Sequence, residues 1–159
     1  MRISSRGRYA LRMMLDIARH GDDGRPVSLA FVSERTGISR SYLEQLAQAL
    51  RTARLVRGSA GRYGGYRLAR PAKEITVGQI IEAAIGPVCV VDCIDDPEGC
   101  PRSEYCECRP VYDLINQRVS EVLDEFTLAD LVSRHGMVAG PGRLELGELV
   151  TIGTDADDA

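Results

Sequence analysis

Tryptophan is absent from these 159 residues, and phenylalanine and histidine occur only twice each. The two histidines, His20 and His135, lie near segment ends with no nucleophile and base in a recognisable arrangement, which argues against an enzyme. No Walker lysine follows a glycine-rich stretch and no GxGxxG opens a helix, so a nucleotide-binding loop is excluded. No apolar run is long enough for a membrane span or a secretory leader, and the opening Met1 to Arg12 is basic and polar. A cytoplasmic protein without membrane contact is the expectation.

Cysteine is missing from the whole chain except one stretch, where five residues are spaced Cys89-x3-Cys93-x6-Cys100-x5-Cys106-x-Cys108. Pro87, Pro97, Gly99, Pro101 and Pro110 punctuate it, so it reads as an irregular loop able to converge several sulfurs. Such a loop is unusual in a compact domain unless it has a function. In a reducing compartment, clustered thiols in odd number point to metal ligation or redox switching rather than to structural disulfides.

A net charge of −3 conceals a division. Met1 to Lys73 holds 15 Lys and Arg against 5 Asp and Glu, whereas Glu74 to Ala159 holds 5 against 18. The basic half carries the electrostatic footprint of a nucleic-acid binder, and the acidic half would be repelled by phosphate. Fourteen of the fifteen cations are arginine, suited to bidentate contacts with phosphate and guanine. At this length, with 44% hydrophobic residues, the chain can bury one ordinary core, or one small domain plus an oligomerisation element.

The hydrophobic spacing predicts a mainly α fold with a small β-hairpin. Ala10, Met13, Met14, Ile17 and Ala18 recur at helical spacing, giving a first helix from Ser5 to about His20. Ser28 caps a second helix to about Thr36, Gly37 breaks it, and Ser39 caps a third to about Ala53. Helix, glycine turn, helix is the DNA-reading pattern. In the third helix Leu43, Leu46, Ala47 and Leu50 form the inward stripe, which leaves Arg40, Ser41, Glu44, Gln45, Gln48 and Arg51 outside. Gln45 suits adenine, Arg40 guanine, and Glu44 the cytosine amino group.

Between Arg57 and Leu68, two strand-like ends flank a glycine-rich tip in the place of a wing, where Arg57, Arg62, Arg67 and Tyr63 suit a minor groove or flanking phosphates. Thr76 and Gln79 fit a capping box for a short helix from Val77 to about Ile85. Beyond the cysteines, Val111, Leu114, Ile115, Val119, Val122, Leu123 and Phe126 repeat at three and four residues. They predict a long amphipathic helix with a coiled-coil-like seam, read as the dimerisation element. Thr127 to Ser133 reads as a short capped helix, and the chain ends in an acidic tail of the mobile type.

Several stretches together resemble the IscR and NsrR family of bacterial winged-helix iron-sulfur regulators. They are Met1-Arg2-Ile3-Ser4-Ser5-Arg6-Gly7-Arg8-Tyr9-Ala10, Gly37-Ile38-Ser39-Arg40-Ser41-Tyr42-Leu43-Glu44-Gln45-Leu46, Gly64-Gly65-Tyr66 and the loop cysteines. The similarity covers about Met1 to Val132. It implies a winged helix-turn-helix plus a long dimerisation helix, in a homodimer whose long helices cross. Patterning and resemblance together divide the chain into four segments: a winged helix-turn-helix DNA-binding domain over 1–75, a linker helix and cluster-binding loop over 76–110, dimerisation and closing helices over 111–135, and, from composition alone, a flexible acidic tail over 136–159. Double-stranded operator DNA is the implied partner, with Ser5, Arg6, Arg40, Ser41, Tyr42, Glu44, Gln45, Arg57, Arg62 and Arg67 as contacts. The resemblance suggests that Glu44 helps one state reject an operator class that the other accepts. The arginine such proteins often carry at the wing start aligns with Ala60, leaving Arg62 as its replacement.

An iron-sulfur cluster, two-iron two-sulfur in preference to four-iron four-sulfur, is the implied cofactor, with Cys93, Cys100 and Cys106 as its ligands. Thiolates are soft, anionic donors suited to iron. The fourth position departs from the family: the histidine expected three residues after the last cysteine is Arg109, and the N-terminal positions that serve other branches are Arg8 and Arg12. Cys108 is the first substitute, Cys89 the second, and Glu104, Glu107, a small ligand or an open site remain. Three readings of the thiols stand: an iron-sulfur sensor of redox state, iron or nitric oxide; a metal-free thiol switch governing sulfur metabolism; and a structural zinc knot, which lacks its usual C-x2-C pairs. An iron-sulfur electron carrier would leave the basic half and the reading helix unexplained.

Overall fold

The computed structural model describes residues 4–21, 24–102 and 105–133; the expected acidic tail, Glu104 and His135 lie outside them. Helix α1 (Ser5–His20) begins where the Ser4 hydroxyl accepts the Gly7 N–H and ends at Gly21. Helix α2 (Leu29–Thr36) begins at Ser28, whose hydroxyl accepts the Ala30 N–H, and stops at Gly37, which takes a φ of 71° in the left-handed region that favours glycine. After the turn comes α3 (Arg40–Thr52). The strands β1 (Val56–Ser59) and β2 (Gly65–Leu68) form an antiparallel hairpin, followed by α4 (Val77–Ile85), the short α5 (Asp92–Asp95), α6 (Arg109–Glu125) and α7 (Leu128–Val132). The fold is mainly α with a two-stranded wing.

Helix α1 is the hub. Its Ala10, Met13, Met14 and Ile17 are buried against Val32 of α2, Leu43, Leu46, Ala47 and Leu50 of α3, Ile80 and Ala84 of α4, and Leu128 of α7. One continuous apolar cluster therefore joins residues before and after position 75. Arg6 adds a polar tie, donating Nε to the Ala84 carbonyl of α4 at 2.6 Å. The hairpin is sewn to the helices by reciprocal backbone bonds between Val27 and Tyr66, at 2.7 and 2.8 Å. That contact dictates the glycine beside it, because a Cβ on Gly65 would run into the Val27 carbonyl.

Helix α3 ends in a left-handed cap. The Leu55 N–H bonds the Leu50 carbonyl at 2.9 Å and the Arg54 N–H bonds the Arg51 carbonyl at 3.0 Å, while Leu50 and Leu55 are both buried. This is the two-bond Schellman arrangement, whose left-handed position normally holds glycine. Here that position is Arg54, at φ 57°, the single non-glycine residue with positive φ among the described residues. Side-chain crowding there costs about 1 kcal/mol.

Helix α6 behaves differently. None of its 17 residues is buried. Val111, Leu114, Ile115 and Val122 are all exposed, and an apolar groove of about 470 Å³ runs along Leu114, Ile115, Val119, Val122 and Leu123. The helix is anchored at its C-terminal end, where the Val77 N–H bonds the Phe126 carbonyl at 2.9 Å, the Leu128 N–H bonds the Ile75 carbonyl at 2.8 Å, and the Thr76 hydroxyl donates to Asp124 at 2.7 Å. No described helix is long and apolar enough to cross a membrane.

Candidate functional site

The reading helix α3 turns its four leucine and alanine positions inward and exposes Arg40, Ser41, Glu44, Gln45, Gln48 and Arg51 on the other side. Tyr42 is half-buried, its ring edge-on to Tyr9 of α1 at 5.9 Å. Arg40 donates Nε to Glu44 at 3.1 Å across one helical turn, and both side chains are mostly exposed. An exposed pair of this kind is worth a few tenths of a kcal/mol, so either partner can leave it for a base edge. Ser39 occupies the N-cap position, but its hydroxyl makes no capping bond to the helix backbone; it lies 3.5 Å from the Ser41 hydroxyl instead. The expected side-chain cap is thus not made, because the Ser39 hydroxyl faces solvent and its neighbour serine. The exposed first turn of α3 keeps N–H groups available to an anion.

An ion pair with one buried partner ties α2 to α1. Asp16 of α1, only 7% exposed, accepts Arg35 Nε at 2.8 Å and the terminal guanidinium nitrogen at 2.7 Å. The hydrogen bond that Arg35 donates to Asp16 is the main reason its guanidinium stays above its ordinary, already high pKa. His20 closes over the pair, with Nδ1 2.9 Å from the Asp16 carbonyl oxygen. Sequence reasoning overlooked Asp16 and Arg35. The available signal was a carboxylate beside the apolar stripe of α1, three residues after Met13, which a folded protein keeps only with a cation beside it.

On the wing, Arg57 and Arg67 stand directly opposite each other in the strand register. Like charges so placed repel, and an anion between them removes the penalty. At the tip the Arg62 guanidinium lies 5.9 Å from the Tyr63 ring centroid, and Tyr63 is 84% exposed. Of the remaining expected contacts, Ser5 accepts from Arg8 at 3.1 Å, and Arg6 has its Nε committed to α4.

The thiols follow α4. Cys89, Cys93, Cys100 and Cys106 are half-buried, Cys108 is exposed, and all five are free. Cys108 is the residue from which α6 starts, and its carbonyl accepts the Val111 and Tyr112 N–H groups at 3.1 and 3.2 Å. Cys93 lies within α5. The Cys89 thiol donates to the Val91 carbonyl at 3.0 Å, and the adjacent Val90 N–H is held by Asn116 of α6 at 3.0 Å. The loop is therefore latched to α6 at two places, its end and Asn116. Among the described residues no three Cys, His, Asp or Glu side chains converge as a metal-holding group.

Against known proteins, the Rrf2 profile, described as "Iron-dependent Transcriptional regulator", matches residues 3–134. The chain belongs to the Rrf2 family. It is 41% identical over 149 residues to the HTH-type transcriptional regulator IscR of Erwinia tasmaniensis, covering 94% of this chain and 89% of that protein. Among solved structures it is similar to T. potens IscR, at 34% identity with a TM-score of 0.69 over 87% of this chain and 93% of that one. It is also similar to CymR, the global cysteine regulator of B. subtilis, at 37% identity with a TM-score of 0.68 over 84% and 97%. Within the Rrf2 match lie the reading helix, the wing, all five thiols and α6, so the chain is a transcriptional regulator with a DNA-binding winged helix.

Proposed function

We propose that this Rrf2 protein is a homodimeric operator-binding regulator whose DNA affinity is governed by an iron-sulfur cluster held in the cysteine loop. The observation that carries the reading is the loop's attachment. It leaves α4, which packs into the core beneath the reading helix, and runs directly into α6, whose Val111, Leu114, Ile115 and Val122 stay exposed among the described residues. A change at the thiols is thereby delivered to the helix best placed to set the spacing of two DNA-binding units.

The donor set suits a cluster. Four half-buried thiols and one exposed thiol are free, and none of the described loop residues is a histidine that would favour zinc or copper. Cys93, Cys100 and Cys106 would hold it, with Cys108 as fourth ligand, and two-iron two-sulfur is the preferred nuclearity. When bound, a cluster supplies redox and ligand-exchange chemistry. The chain supplies the coupling: Asn116 ties the loop to α6, and Thr76 with Asp124 ties α6 to the start of α4. On dimerisation through Leu114, Ile115, Val119, Val122, Leu123 and Phe126, two copies of α3 would address half-sites one helical turn apart, a spacing that a small rotation forfeits. The similarity to the cysteine regulator CymR supports a metal-free thiol switch as the second reading.

Selection of duplexes from a random library tests the DNA half of the proposal. A palindromic consensus is the expected product, with affinity falling steeply in salt and with Arg40→Ala or Gln45→Ala relaxing preference at single base pairs. Recovery of no consensus, by protein with or without reconstituted cluster, would contradict it.

A further inference from the structure

A second basic feature lies at the opposite end of α3 from the turn. A cavity of about 700 Å³ opens between the end of α3, the start of β1 and the segment after β2, lined by Arg51, Arg54, Val56, Arg57, Ala69 and Arg70. Four arginines from three separate segments line one space. Among the described residues no carboxylate pairs with any of them, and Arg51, Arg54 and Arg57 make no side-chain hydrogen bond. Arg70 spends one N–H on Gln79, at 3.0 Å, which fixes its position and leaves the rest of the fork unused.

The end of a helix attracts cations, and that accounts for Arg51 and Arg54 at most. The Leu50 and Arg51 carbonyls are already capped by backbone N–H groups, and Arg57 and Arg70 come from outside the helix. Arg54 is the more telling residue. It occupies a left-handed position where glycine would be relaxed, so its side chain is kept at the expense of backbone strain. Arg57 has a further like charge, Arg67, directly across the hairpin. Four unpaired cations around a cavity repel one another unless an anion joins them.

We propose that this cavity is a phosphate-binding site, with Arg54 and Arg70 as its distinguishing ligands and Arg51 and Arg57 as its flanks. The group bound is a phosphodiester of DNA beyond the bases read by α3, or the phosphoryl groups of a free phosphorylated molecule. The fork geometry of the four guanidinium groups suits either. The DNA source rests on the DNA-binding reading above, whereas the free source does not.

Arg54→Gly is the most informative variant because it relieves the strained backbone while removing the cation. It should raise the melting temperature and still weaken phosphate binding, a combination that no purely structural role produces. Arg70→Gln, which keeps a hydrogen-bonding side chain near Gln79, is the second variant. Two probes are titrated against wild type and both variants: a mixed-sequence DNA duplex across a salt series, and inorganic pyrophosphate by calorimetry. If the source is DNA, each variant lowers the slope of log affinity against log salt by about 0.9, so the loss of affinity between 50 and 200 mM salt shrinks about three-fold. If the source is a free phosphorylated molecule, pyrophosphate binds wild type and at least ten-fold more weakly to both variants, with the duplex slope unchanged. Wild-type protein that binds no duplex would defeat the DNA-binding reading, and the pyrophosphate titration would still decide the cavity. Unchanged slope together with unchanged or absent pyrophosphate binding would overturn the proposal.

Discussion

Removing the Asp16 carboxylate tests how the reading unit is held on α1. The side chain is 7% exposed and accepts two charge-assisted hydrogen bonds from Arg35, at 2.8 and 2.7 Å. Breaking one partner of a fully buried pair costs about 3–5 kcal/mol, chiefly through the charge left behind. The Arg35 side chain is 33% exposed, so after Asp16→Ala it can turn to solvent, and the expected loss falls to about 2–3 kcal/mol. Arg35→Ala should cost more, about 3–4 kcal/mol, because Asp16 would stay buried with only His20, 3.4 Å from its Oδ1, as a possible cation. Urea unfolding of apoprotein at one fixed protein concentration reads both losses, and the double variant completes the cycle. A coupling of about 2 kcal/mol between the two sites is the predicted result. Coupling below about 0.5 kcal/mol, or equal losses in the two single variants, would refute the argument from unequal burial.

Three further outcomes follow from particular contacts. With α6 as the proposed dimer seam, Leu114→Asp, at a residue 53% exposed among the described residues, should convert dimers to monomers by sedimentation without loss of helicity; an unchanged mass would remove α6 from the proposed interface. Gly65→Ala should break the Val27–Tyr66 contact and detach the wing, costing about 2 kcal/mol, and full native stability in thermal unfolding would show that the backbone yields instead. Glu44→Ala, which frees Arg40, should leave stability within about 0.5 kcal/mol and broaden the range of duplexes recovered in selection; an unchanged consensus would exclude Glu44 as a discriminating residue.

Six of the helices were legible in the sequence because their signals are local, whereas the short α5 falls inside the stretch read as an irregular loop. Ser28 and Thr76 accept the expected capping bonds within three residues, Gly37 takes the left-handed turn, and the Thr76–Gln79 box forms as its spacing predicts. The exposed inventory of α3 followed from helical periodicity alone. Tertiary pairings were not legible in the same way. Asp16 meets Arg35 across 19 residues, and Val27 meets Tyr66 through backbone atoms that carry no residue identity. The Arg-lined cavity joins residues from α3, β1 and the segment after β2, and its strained member, Arg54, stands where a sequence reader expects glycine. The thiol loop sits between these cases: its cysteines advertise the chemistry, but their spacing contains no C-x2-C pair, so the ligand set depends on how the loop closes.

The most direct test of the central claim is the visible spectrum of anaerobically purified protein, with iron and acid-labile sulfide assayed per chain and DNA affinity measured on the same samples. Wild type is compared with Cys93→Ala, Cys100→Ala, Cys106→Ala and Cys108→Ala. Brown wild-type protein with stoichiometric iron and sulfide, lost in all four variants together with cluster-dependent control of DNA binding, is the predicted result. Colourless protein without iron or sulfide, even after anaerobic reconstitution, would contradict the cluster sensor and leave the thiol switch as the reading of the same DNA-binding regulator.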